Sequence, residues 1–233
     1  MKKITKNPDP LVMQELLNFI QSEKKADIIP NYTNFREKEK LRQSLLKEQG
    51  YICCFCMERI ENSNETTKIA HIFPQNPVSD EDKQKVEKEN RDLRYANMLA
   101  ACDGGKGQPS HLQHCDTKQG NAILKINPAD PTKNCENLIA YRSSGEIYSN
   151  DSDINHDLQE ILNLNLETIK KARYEAYNTV LKKIAKKYPN KPCSKRSLEK
   201  EIATYSQVNK DGKYAPYCQY VIYFLQKKLS KLS

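Results

Sequence analysis

Four of the eight cysteines in this 233-residue chain restrict its fold more than any other feature of the sequence. Cys53 and Cys56 form a C-x-x-C pair, and Cys102 and Cys115 follow in the segments NMLAACDGGKG and QHCDTKQG. Two pairs of thiolates from distant segments are how proteins build a tetrahedral structural zinc site, and the ion stabilises folds that are too loose to close alone. We therefore predict a structural zinc ion held by these four residues. The alternative is four ordinary buried cysteines.

The second pair is unusual because twelve residues separate its members, so the insertion DGGKGQPSHLQH has to loop out between them. His114, at the end of this insertion, could replace Cys115 as the fourth ligand. Cys54 cannot easily share a site with its neighbour, since adjacent side chains diverge, and we expect it to be buried as a small apolar group. Burial in the core is also the expectation for the cysteines without a partner in sequence, which are Cys135, Cys193 and Cys218.

Composition and charge limit the class of protein. No apolar run approaches the ~18 residues of a membrane span, and the start MKKITKNPDPLVMQ lacks the apolar region of a secretory signal. We therefore expect a cytoplasmic protein without membrane contact, in which cysteines bind metal or are buried rather than form disulfides. The net charge of +8 is uneven, because residues 165–233 carry 16 Lys and Arg against 5 Asp and Glu. This end suggests a polyanionic partner such as nucleic acid, and equally a solvated lysine face.

The hydrophobic pattern predicts an α+β chain that is mostly helical. Two helices are expected in residues 1–50, over 9–25 and 33–48. Residues 51–125 show no sustained period, and 126–233 should hold a hairpin over 138–148 followed by basic helices. In that last part a helical pattern runs from Asp153 to the residues before Pro189, and two more helices are expected near 194–207 and 216–231. We expect these three parts to form one compact domain.

Three polar residues in the middle of the chain follow the cysteines in a fixed order. His71 lies in KIAHIFPQ, a short strand that Pro74 should end, and Asn97 precedes a second apolar run, MLAAC. Asp116 follows Cys115 directly, where DTKQGNAIL could begin a helix. A histidine on an apolar strand is more often a satisfied core residue than a base, but the order C-x-x-C, His, Asn, Cys, Cys-Asp favours a site.

This order resembles the HNH endonuclease family, whose core is a zinc-stapled ββα-metal unit. Further segments extend the resemblance over most of residues 1–175, to the HNH nuclease subunit of the Septu and retron-associated anti-phage systems. They are EKEKLRQSLLKEQGYICCFCMERI, KIAHIFPQ, YANMLAAC, HCDTKQGN, INPADP, GEIYSND and LNLN.

The resemblance implies a metal-dependent endonuclease that acts on nucleic acid, with DNA as the expected substrate, beside an ATPase partner. His71 would be the general base, with its tautomer fixed by a backbone carbonyl. Asp116 would hold one Mg²⁺ or Mn²⁺, and Asn97 would brace the loop between the strands. Zinc would remain structural. Candidate nucleic-acid contacts are Lys118, Lys182, Lys183, Lys186 and Lys187.

Ala70 departs from the family, in which an acidic metal ligand precedes the catalytic histidine. Either alanine has replaced that acid and inactivated the chain, or another ligand is recruited from the insertion, such as Asp103, His111 or His114. A non-catalytic zinc module that binds nucleic acid is the alternative function, and a zinc-stapled scaffold for a protein partner is a third. Residues 214–229 are a candidate docking surface for the ATPase, unless they pack onto the chain's own helices.

Overall fold

The computed structural model describes residues 1–187 and 194–232, which form a mixed α and β structure around one main apolar core. The mixed class predicted from the sequence is confirmed. The helices are α1 (Pro10–Lys25), α2 (Lys38–Glu48), α3 (Asp80–Glu89), α4 (Cys115–Gln119), α5 (Ser152–His156), α6 (Glu167–Lys187), α7 (Lys195–Ser206) and α8 (Cys218–Leu229). The strands are β1 (Thr67–His71), β2 (Met98–Cys102), β3 (Ala140–Tyr141) and β4 (Ile147–Tyr148). None of the described helices is both long and apolar enough to cross a membrane.

The two N-terminal helices carry their own start signals. Asp9 caps α1 by accepting a hydrogen bond from the Leu11 amide at 2.9 Å, and Pro10 is the first helical residue. Helix α2 begins at Lys38, five residues later than the predicted start at 33. The reason is a turn in which the side chain of Asn31 accepts a hydrogen bond from the amide of Asn34, which competes with helix formation.

Strands β1 and β2 form an antiparallel pair in which Ala70 lies opposite Leu99 and His71 opposite Met98. Helix α4 packs against both strands, so these three elements make a ββα arrangement. Helix α3 lies between the strands in sequence and was not predicted. It is a polar helix with one buried residue, Val86, and the side chain of Ser79 caps it by accepting from the Asp82 amide. Its hydrophobic period is therefore too weak to read from the sequence.

The predicted hairpin over 138–148 is confirmed by β3 and β4, but the helical pattern after Asp153 is not one continuous helix. After α5 comes one π-helical turn, Asp157–Ile161, and the helix resumes only at α6. Asn163 causes the interruption, because its backbone adopts a left-handed conformation with φ of 48°. Leu162 and Leu164, which fit the helical period, are buried in the interruption instead.

The C-terminal helices pack on one another. Helix α8 contacts α6 and α7, and a second, smaller core lies between them. That core consists of Val180, Ile184, Leu198, Val221 and Leu225. Most of the apolar side chains of 214–229 thus pack against other parts of the chain. This packing is the alternative that we stated to a docking surface. Cys135 and Cys218 are buried as expected, whereas Cys193 lies outside the described residues.

Candidate metal centre and adjacent site

The four cysteines predicted to bind zinc come from three places in the fold. Cys53 and Cys56 lie in a tight turn after α2, closed by a hydrogen bond from the Met57 amide to the Cys53 carbonyl at 3.0 Å. Cys102 is the last residue of β2, and Cys115 is the first of α4. The ββα arrangement therefore brings the ends of β2 and α4 to the C-x-x-C turn.

The sulfur atoms form a compact, buried group. All four lie within 4.8 Å of one another. The Sγ–Sγ distance is 3.8 Å between Cys53 and Cys115, and 3.8 Å between Cys56 and Cys102. A regular tetrahedron with metal–sulfur bonds of ~2.3 Å has sulfur–sulfur edges of ~3.8 Å. The cluster could therefore hold a zinc ion, and its donor set is the one predicted from the sequence.

Neighbouring groups are placed to support thiolates. The Glu58 amide donates to Cys56 Sγ at 3.5 Å, and His114 Nδ1 lies 3.2 Å from Cys115 Sγ. His114 thus flanks the cluster, while Cys115 occupies the fourth position in it. Burial lowers the pKa of His114, so its ring is neutral at physiological pH and can serve as a hydrogen-bond partner of the sulfur.

Arg173 of α6 provides an independent observation in favour of an anionic centre. Its side chain is fully buried, and Nη1 donates to the carbonyls of Gly145 and Leu164 at 3.0 and 2.9 Å. Nε and Nη2 have no hydrogen-bond partner among the described residues. Burial lowers the pKa of Arg173, and the electrostatic influence of nearby groups, Cys56 and Cys115 of the cluster among them, opposes that effect. Zinc with four thiolates carries a charge of 2−, which would offset this buried cation.

The candidate base, His71, ends β1 and is held on both sides of its ring. Nε2 lies 2.9 Å from the backbone carbonyl oxygen of Asp92, which only accepts, so Nε2 carries the proton. Nδ1 then keeps its lone pair and faces the side-chain amide of Gln75 at 3.2 Å. The ring of Tyr32 packs edge-on, with centroids 4.7 Å apart. Burial lowers the pKa of His71 to about 4, so the imidazole is neutral at pH 7.

Asn97 connects the segments on either side of the two strands. Its Oδ1 accepts from the Phe73 amide at 2.8 Å, and its Nδ2 donates to the carbonyls of Phe73 and Arg91, both at 3.0 Å. Because Phe73 follows His71 closely, these bonds fix the chain at the end of β1. The side chain of Asn97 therefore ties the segment after β1 to the segment before β2.

Asp116 lies in the first turn of α4 and is partly buried. Burial raises the pKa of its carboxyl to about 6, against the opposing effect of Lys68, whose Nζ is 3.8 Å from Oδ2. Lys68 also donates to Thr117 Oγ1 at 2.5 Å. Since side chains alternate along a strand, Lys68 and Ala70 share the face of β1 that meets this end of α4.

The residues around Asp116 do not offer a complete site for Mg²⁺ or Mn²⁺. Ala70 is fully buried and has no donor atom. Among the described residues, the four cysteines are the one group of three or more potential ligands that comes together. Asp103, His111 and His114 therefore do not form a group of three or more ligands with Asp116. As the chain stands, the donor set does not fit a tightly held divalent ion.

The candidate nucleic-acid lysines fall into two groups. Lys118 donates to the carbonyl and hydroxyl oxygens of Ser110, at 3.1 and 3.2 Å, and so holds the insertion that precedes Cys115. The others lie on exposed positions of α6. They are Lys182, Lys183, Lys186 and Lys187. Lys183 pairs with Glu201 of α7 at 2.9 Å.

Several residues of the site have no signal in the sequence. Gln75 and the carbonyl of Asp92 contact His71, and the side-chain amide of Gln119 donates to the carbonyl of His71 at 3.1 Å.

No family model matches the sequence, and no curated protein matches it.

Proposed function

We propose that this chain is an HNH-type endonuclease subunit that hydrolyses phosphodiester bonds of nucleic acid, with DNA as the expected substrate. The observation that carries the proposal is the state of His71, whose Nε2 is fixed by a carbonyl while Nδ1 keeps its lone pair. A buried histidine that served only the core would be satisfied by such a bond. Asn97, which braces the end of β1, and Asp116, the metal ligand that the resemblance implies, support a site instead. The four-cysteine cluster supports the same class, with zinc as a structural ion.

Each residue has a role that its surroundings permit. His71 Nδ1 would take the proton of the attacking water, after the side chain of Gln75 moves aside. Asn97 would hold the end of β1 in place. Lys68 would contribute positive charge beside the scissile phosphate, since its ammonium already lies near Asp116.

The role of Mg²⁺ or Mn²⁺ depends on position 70. Because Ala70 supplies no ligand, we assign no step to a divalent ion in this chain and expect it to cleave poorly. Of the two explanations for Ala70, we favour replacement of a family acid, because Asp116 and the insertion form no group of three or more ligands.

The setting proposed for this activity is anti-phage defence, together with an ATPase subunit, as the resemblance implies. The lysines of α6 would contact the phosphates of the nucleic acid. A second candidate function is a non-catalytic zinc module that binds nucleic acid. Ala70 and the pairing of Asp116 with Lys68 favour this alternative.

The test is plasmid nicking in Mg²⁺ or Mn²⁺ by the chain, purified with its ATPase partner, and by Ala70→Glu. We expect Ala70→Glu to raise the nicking rate about tenfold or more, since a second carboxylate completes the ligand set. Ala70→Gln is the matched control, because it has the same size without the charge. Adding His71→Ala to Ala70→Glu should abolish the gain. Absence of nicking by Ala70→Glu would favour the non-catalytic module. Equal nicking by Ala70→Glu and by the double variant with His71→Ala would show that His71 is a core residue.

A further inference from the structure

A cleft lies beside His71, between the segment that follows α1 and helix α3. Its volume is about 560 Å³, which is within the ~300–1,000 Å³ of typical ligand sites. The apolar residues of its lining are Ile29, which is 61% exposed, and the buried Pro30 and Val86. The side chain of Ile29 offers an apolar surface on which a flat ring can pack.

The lining of the cleft is rich in side-chain amides. Asn31, Asn34, Gln75 and Asn76 all line it. The side chains of Asn34 and Asn76 are exposed and form no hydrogen bond with the described residues. Amides donate and accept at the same time, and this is the pattern with which Asn and Gln recognise base edges.

The charges of the cleft disfavour a phosphate inside it. Glu87 and Asp92 are acidic, and Lys83 is the one basic residue that the described part of the chain contributes to the lining. The Lys83 ammonium is already engaged by Asp80 at 2.8 Å. A neutral, polar, flat group is therefore the ligand that fits these walls.

Two lining residues connect the cleft to His71. Gln75 meets Nδ1 of the ring, and the carbonyl of Asp92 meets Nε2. Since Nδ1 is the nitrogen left to accept a proton, a water that reaches it approaches from the side of Gln75. A group bound in the cleft would thus lie next to the bond being hydrolysed.

We propose that this cleft binds a nucleobase adjacent to the scissile phosphate and that its amides select which base is accepted. The proposal rests on the proposed function for its link to cleavage, but base binding itself can be measured separately. DNA and RNA present the same base edges, so either could supply the ligand.

The experiment selects bound sequences from random duplex DNA and random RNA pools with the full chain as it stands. In one of the pools, one position should be enriched for one base about fivefold or more, as expected for amide–base contacts. The double variant Asn34→Ala/Asn76→Ala should reduce that enrichment below about twofold, while the slope of affinity against salt stays the same because no phosphate contact is lost. The matched control is Asn121→Ala/Asn150→Ala, which removes two exposed amides outside the cleft.

The outcomes separate this proposal from the proposed function. Absence of an enriched position in both pools, or enrichment that survives in the cleft variant, would overturn the base site. If Ala70→Glu nicks plasmid but the cleft variant keeps its preference, the nuclease stands and the base site falls. If enrichment is lost in the cleft variant while Ala70→Glu does not nick, the base site stands and the nuclease falls.

Discussion

Replacing one cysteine of the cluster tests whether zinc holds this fold together. In Cys56→Ser the Sγ that lies 3.8 Å from Cys102 is replaced by a hydroxyl, which leaves three thiolates around the ion. Structural zinc contributes ~10–16 kcal/mol to folding, and whole domains are stable by only ~5–15 kcal/mol. Loss of most of the metal contribution therefore exceeds the total stability, and we expect Cys56→Ser to lack a cooperative thermal transition.

Cys54 provides a matched control in the same turn. It is 2% exposed and lies outside the cluster, so Cys54→Ala removes a buried sulfur without removing a ligand. The expected cost is roughly 1 kcal/mol, which lowers the melting temperature by about 2–4 °C in a chain of this size. Zinc content should remain near one ion per chain in this variant.

The assay is thermal unfolding by circular dichroism combined with metal analysis, before and after dialysis against a chelator. The parent should lose its transition when the zinc is removed. A zinc-free Cys56→Ser protein that still melts cooperatively within about 5 °C of the parent would refute the reasoning, because the cluster would then be four buried cysteines.

Two further predictions concern the adjacent site. His71 has a pKa of about 4 when folded, below its ordinary 6.5, so its contribution to stability is complete above pH 6.5 and is lost as the pH falls towards 4. Between pH 7.5 and pH 5, the free energy of unfolding measured in urea should fall by about 2 kcal/mol more in the parent than in His71→Gln. An equal decrease in both proteins would contradict the buried, neutral imidazole. Asn97→Ala removes three hydrogen bonds and should lower the free energy of unfolding by about 2–3 kcal/mol, against less than about 0.5 kcal/mol for the exposed Asn121→Ala. If Asn97→Ala lowers the free energy of unfolding as little as that control does, the loop between β1 and β2 does not depend on the Asn97 side chain.

The four-cysteine cluster could be predicted from the sequence because the chemistry of thiolates leaves few alternatives. A C-x-x-C pair needs two more ligands, and Cys102 and Cys115 were the remaining cysteines in glycine-containing segments. The structure adds the reason why twelve intervening residues are tolerated. The insertion folds on itself through a hydrogen bond from the His114 amide to the Gly104 carbonyl at 2.9 Å, so its ends meet near the cluster.

Other parts of the site could not be predicted, for two physical reasons. The partner of His71 Nε2 is a backbone carbonyl, which every residue possesses, so nothing in the identity of Asp92 points to it. Arg173 lies on a helix rich in exposed basic residues, and it is buried where α6 meets the hairpin turn at Gly145. Similarly, Asn163 fits a helical pattern as one polar residue among apolar ones, and nothing in the sequence indicates its left-handed backbone conformation.

The LNLN segment, residues 162–165, explains why the cluster and the adjacent site depend on each other. The Leu162 carbonyl accepts from the Cys115 amide at 2.9 Å, and the Asn163 side chain donates to the carbonyls of His111 and Gln113 at 3.1 and 2.8 Å. One segment thus fixes the insertion, the last cysteine of the cluster and the start of α4, where Asp116 lies. Loss of zinc would therefore displace Asp116 as well, and cysteine variants cannot separate a structural from a catalytic role. Only changes at His71 and Ala70, on the strand rather than on α4, can test the chemistry while the metal centre remains intact.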